Sequence, residues 1–194
     1  VSATEPYNLI QAGFGFEITE RTSLTNPYPI KTADDFAKMV DGNYYILLND
    51  LTLPNDFEPI TAKIGGFDGN NKKIKFESNI NLNNAGGDIV YNFGLFESIS
   101  ENTIISNLIL EIGGVLTVDL SSYDSINFGL LTSENNGTIT NCSIVGRTTT
   151  SRIEVVGLDL TSVSSEPNNI IAAFVAKNYG SITNSRVEVS IEGK

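Results

Sequence analysis

The chain has 194 residues and a formal net charge of −11, from 23 acidic against 12 basic side chains. Hydrophobic residues make up 40%, too many for a disordered chain and enough for one domain with a core. The acidic excess excludes a nucleic-acid partner, whose phosphates need clustered Lys and Arg, and no apolar run is long enough for membrane insertion.

Histidine is absent, which removes the commonest general base and the commonest transition-metal ligand. Ser-His-Asp and Cys-His chemistry are therefore excluded within the chain. The single cysteine, Cys142, has no partner for an internal disulfide. Its place in an apolar strand pattern makes it a small inward hydrophobe rather than a nucleophile. Val1 stands where a Met would begin a whole protein, and Lys194 follows a strand pattern with no capping segment. The chain reads as a piece of a longer protein.

In chain order, residues 1–29 form an irregular or β-rich lead-in, alternating at Phe14, Phe16 and Ile18 and punctuated by Asn26, Pro27 and Pro29. The spacing then predicts one helix over 33–40. Thr32 is its N-cap, and Asp34 and Asp35 in the first turn suit the helix dipole. Ala33, Phe36, Ala37 and Val40 mark one face, with Met39 beside it, and Asp41 and Gly42 stop it. Residues 1–42 thus make a lead-in and cap. Short strand patterns follow at 44–48, 51–53, 57–60, 63–70 and 73–77. Turns rich in Gly, Asn and Asp recur about every ten residues, the signal of an all-β fold.

One phrase occurs three times. Residues 127–144 read NFGLLTSENNGTITNCSI, residues 92–110 read NFGLFESISENTIISNLIL, and residues 172–187 read AAFVAKNYGSITNSRV. Superposition aligns Ile105 with Ile139 and Ile182, and Asn107 with Asn141 and Asn184. A sandwich would not repeat a phrase, and a propeller needs more blades than this length supplies. A parallel β-helix accounts for the repeats, because equivalent side chains stack rung on rung over residues 43–194 of a single domain. The three isoleucines then form an inward ladder, with Leu108 and Cys142 beside it. The three asparagines sit at a bend, where Asn tolerates left-handed backbone. The isoleucine spacing is 34 and then 43 residues. The extra lengths, 113–126 and 146–170, are expected as longer strands or loops projecting from one side, a usual place for binding surfaces.

The sequence GLLTSENNGTITNCSIVG at 129–146 resembles the GLUG-type repeats of bacterial secreted and cell-surface proteins. The upstream helix, the strand from Tyr45 to Leu51, Pro59 and Ile60, and residues 66–70 are similar to the region that precedes such repeats. The likeness covers residues 28–190, and the third copy departs from it with Ala173 and Phe174 in place of Gly-Leu. It implies a right-handed parallel β-helix with a short N-terminal capping α-helix. It also implies secretion or a cell-surface location, and a role in adhesins.

The residues for chemistry are sparse. Asp50, Asp56 and Glu58 fall close together and, with Asp68, are the candidate oxygen ligands for calcium, the one cofactor considered. The competing account is that they make Asx turns. A glycosidase needs two converging carboxyl groups, one with a raised pKa, and no Asp-x-Asp pattern on a strand supplies them. A lyase needs Lys or Arg as base, and Arg21, Arg147, Arg152 and Arg186 are scattered. Tyr44, Tyr123 and Tyr179, near turns or inserts, are candidates for sugar contact; the alternative is that they cover the solenoid's side. The expectation is a non-catalytic stalk or scaffold that binds a surface glycan or a protein receptor. A polysaccharide-active enzyme and a self-assembling layer or filament subunit are the rivals.

Overall fold

The computed structural model describes residues 23, 25–77, 91–119, 125–157 and 169–194. Its first part runs β1 (Tyr28–Ile30), α1 (Ala33–Ala37), β2 (Tyr44–Leu47), β3 (Leu51–Thr52), β4 (Gly66–Asp68) and β5 (Lys73–Phe76). Three similar passes follow. The first is β6 (Tyr91–Phe93), β7 (Phe96–Ile99), β8 (Ile104–Ser106), β9 (Ile109–Ile112) and β10 (Val115–Asp119). The second is β11 (Ile126–Gly129), β12 (Thr132–Asn135), β13 (Thr138–Thr140), β14 (Ser143–Gly146) and β15 (Arg152–Val156). The third is β16 (Ile170–Ala172), β17 (Val175–Asn178), β18 (Ser181–Thr183), β19 (Arg186–Glu188) and β20 (Ser190–Gly193).

The strands form five sheets, ordered β1-β2-β4-β8-β13-β18, β3-β5-β9-β14-β19, β6-β11-β16, β7-β12-β17 and β10-β15-β20. Among the described residues every pairing is parallel, and each of the three passes visits the five sheets in the same order. The molecule is all-β with parallel sheets. Short strands are enough here because each side chain is held by its equivalent on the neighbouring strand as well as by the core.

The repeated phrase becomes columns of like residues. Tyr28, Tyr45, Phe67, Ile105, Ile139 and Ile182 lie in register across the six-stranded sheet. Ile105 and Ile139 are fully buried. Ile182 departs from the inward expectation at 36% exposure, because β18 is the last strand of its sheet. Val187 and Ile191 in the same pass are exposed for the same reason. Asn107, Asn141 and Asn184 take left-handed backbone at φ 53°, 52° and 50°. This turns the chain in two residues, a conformation that a β-branched side chain would resist. The Asn141 amide donates to Asn107 Oδ1 at 2.7 Å, and the Asn107 amide donates to Asp68 Oδ1 at 2.9 Å. Leu108 and Cys142, next in sequence, are buried. Inside the core, the fully buried Asn135 donates to Asn178 Oδ1 at 2.7 Å and accepts from the Gly137 N–H at 3.1 Å. Such satisfied carboxamides avoid the cost of burying an unpaired polar group.

Helix α1 packs against β1, the edge strand of the six-stranded sheet. The Thr32 hydroxyl accepts from the Asp35 N–H at 3.1 Å, and the Asp35 carboxylate accepts from the Thr32 N–H at 3.0 Å. This capping box fixes the helix start. The helix ends at Ala37, short of the expected Val40, because the Val40 N–H donates to the Tyr45 hydroxyl at 2.8 Å instead of to a helical carbonyl. Phe36 is thereby driven fully into the core. Its ring meets Phe67 edge-on at 5.8 Å, with Phe96 at 5.9 Å and Phe57 at 6.3 Å.

Two further expectations change. Pro29, expected as punctuation, lies within β1; that strand is the edge of its sheet, where the missing N–H costs no ladder bond. Residues 57–60 do not form a strand, and only Ile60 makes a bridge, to Phe96. Of the two readings of 113–126 and 146–170, the described residues take that of strands: β10 and β15 pair over five residues each and bury Leu116, Val118, Ile153 and Val155.

Candidate functional site

Alternation along β5 and β9 points Ile74, Phe76, Leu110 and Ile112 inward and leaves Lys73, Lys75 and Glu111 on the outer face. There Lys73 pairs with Glu111, a carboxylate only 6% exposed, and Lys75 lies 3.5 Å from Asp50. Arg147 grips Glu77 with both guanidinium nitrogens. Asp50 also accepts from the Lys73 N–H at 2.9 Å. Sequence alone did not bring these groups together, because Lys73 and Glu111 are 38 residues apart and Glu77 and Arg147 are 70 apart.

This cluster has lysine, arginine and carboxylate within reach, so its charge states matter. A lysine acting as base needs a lowered pKa. The Glu111 hydrogen bond instead raises that of Lys73. A general-acid carboxyl needs a raised pKa. Asp50 is held below the usual carboxylate range by the Lys73 N–H, and Glu77 by its hydrogen bond to Arg147. On the β10-β15-β20 sheet, Lys194 and Arg152 hold Glu154 low in the same way. These arrangements are ion pairs in which each partner favours the charge that the other carries.

The calcium candidates do not gather. Among the described residues no group of three or more His, Cys, Asp or Glu side chains is placed to hold a metal ion. Asp50 belongs to the ion pairs above. Asp68 accepts from the Asn70 N–H two residues on, at 2.8 Å, which is an Asx turn, and from Asn107. Asp56 and Glu58 lie apart from both, on the rim of a groove. Tyr123 lies outside the described residues. Tyr179 is 71% exposed at the turn between β17 and β18, where its N–H donates to Asn135 O at 2.8 Å. The Tyr44 ring packs over Gly65 and Gly66; a Cβ on Gly66 would stand 2.9 Å from it. Tyr44 is therefore cover for the sheet. Cys142 is 2% exposed, and burial pushes its thiol up to about 11, the environment of an inert core cysteine.

The groove was not visible in the sequence. It is a shallow depression, open to solvent, of about 1010 Å³ between α1 with its exit, residues 33–41, and the segment 54–62. Met39, Phe57 and Ile60 are buried at its floor, while Val40 stands 53% exposed on one wall. Asp41, Asp56 and Glu58 line its rim, and no Lys or Arg does. Asp41 is fixed by accepting from the Lys63 N–H at 2.8 Å. The groove exists because α1 ends early: Val40 turns out to Tyr45, and Pro54 and Pro59 bracket a segment that cannot join a sheet.

No family model, curated protein or solved structure matches this chain. Among the described residues, no helix is long and apolar enough to cross a membrane.

Proposed function

We propose that this chain is a right-handed parallel β-helix, similar to the GLUG-type repeats, acting as a non-catalytic adhesin stalk or scaffold of a secreted or cell-surface protein. The observation that carries the reading is the cyclic order of the passes: three times the chain visits the five sheets in the same sequence, with equivalent residues in register. A right-handed path is the usual one for parallel crossover connections. A stack of this kind is stiff along its axis and presents fixed side faces, which suits holding a binding surface away from an anchor. The ion pairs on its outer faces support a structural role for charge. The acidic surface favours a neutral or basic partner over an acidic one.

The test is incubation with neutral and acidic polysaccharides, with and without calcium, followed by assay for new reducing ends and unsaturated sugar products. No turnover above a heat-denatured control is expected. Turnover that disappears in Lys73→Met or Glu111→Gln, with both variants still folded, would replace the scaffold reading by a lyase or glycosidase.

A further inference from the structure

The groove at the capped end combines two properties that point to one kind of occupant. Its floor is apolar, with Met39, Phe57 and Ile60 at the bottom and Val40 exposed beside them. Its rim is acidic, and none of Asp41, Asp56 and Glu58 is in an ion pair with a described residue. On the sheet faces, by contrast, Lys73, Lys75, Arg147, Arg152, Arg186 and Lys194 each face an acid. The groove rim is left negative, and Val40 stands exposed beside the buried floor.

We propose that this groove docks a short amphipathic segment of a partner protein, with apolar side chains on one face and Lys or Arg beside them. Apolar side chains would cover the exposed Val40, and the flanking cations would meet the three carboxylates, a pairing that sets orientation and association rate more than raw affinity. At about 1010 Å³ the trough has room for two or three large side chains of such a segment. A neutral sugar would leave the rim charge unanswered, and an acidic one would be repelled. The inference rests on the scaffold reading, and supplies the class of partner for it.

The experiment uses the full chain and a fluorescent Leu/Lys peptide of amphipathic pattern, read by anisotropy at physiological ionic strength. A scrambled peptide of the same composition is the control for charge alone. Ala37→Trp fills the groove wall, and Asp56→Asn with Glu58→Gln discharges the rim from exposed positions that carry no core contacts. Glu188→Gln with Glu192→Gln removes the same charge from the third pass. Saturable binding of the patterned peptide is expected, weakened about tenfold by Ala37→Trp and by the rim pair, with the distant pair within about twofold of the parent. The scrambled peptide should bind at least about tenfold more weakly. Absence of saturable binding overturns the inference. So does equal binding of the scrambled peptide, or an equal loss from the rim and distant pairs, since both indicate attraction to net charge alone. Either failure leaves the scaffold reading standing, because that is decided separately by the polysaccharide assay.

Discussion

Replacing Phe36 by Ala is expected to lower the stability of the whole stack by about 3–5 kcal/mol, the cost of deleting a buried aromatic ring from a packed core. Phe36 is fully buried and touches Phe57, Phe67 and Phe96. These rings come from the groove segment, the six-stranded sheet and the first repeated pass, so the cavity would open where α1 meets the sheets. Each kcal/mol moves the melting midpoint by roughly 2–4 °C in a chain of this size. Thermal unfolding followed by circular dichroism reads the effect. Lys38→Ala on the same helix is the control: it removes only an exposed ion pair with Asp34 and should leave the midpoint in place. Equal, small effects from both variants would mean that α1 does not close the core.

The second large effect separates two residues that sequence makes equivalent. Ile139 and Ile182 occupy the same position in their copies and pair directly in register. Ile139 is fully buried with neighbours on both sides, whereas Ile182 is 36% exposed on the last strand. Ile139→Ala should therefore cost about 2–5 kcal/mol, and Ile182→Ala less than about 1 kcal/mol, since the exposed site can relax into solvent and leaves no enclosed cavity. Chemical denaturation of the two variants decides it. Equal costs would place Ile182 in a covered position, with a further layer lying over the third pass.

The comparison also shows what a repeat conveys. The phrase shared by the three copies located the isoleucine column and the asparagine bend, because stacking forces equivalent positions to solve the same local problem. Asn107, Asn141 and Asn184 all need left-handed backbone, and asparagine is a residue that supplies it cheaply. The β10-β15-β20 sheet lay outside the phrase and read as insertion. Its strands keep register through alternation alone, with Leu116, Ile153 and Ile191 in one column and Val118 and Val155 in the next, while Thr117 and Glu154 share an outward position. That alternation was present in the sequence but carried no common word. The ion pairs of Lys73 with Glu111 and Glu77 with Arg147 were illegible for a different reason: they join different strands, and their spacing follows the path length of a pass rather than any local period. The groove was hidden because it depends on where α1 stops, and the Val40 hydrogen bond to Tyr45 that stops it is a tertiary contact.

A β-helix requires that its passes lie one upon another in register. Ile46, Asp68, Ser106, Thr140 and Thr183 lie in register across the six-stranded sheet. Spin labels on cysteines placed at Ile46 and Thr183, with Cys142→Ala to remove the native thiol, test it directly by pulsed electron resonance. Those positions are separated by steps between adjacent strands, each about 4.8 Å, which puts the two backbones roughly 19 Å apart. With the label arms added, a single narrow distance near about 20–30 Å is expected. A broad distribution, or a mean beyond about 40 Å, would contradict the stack.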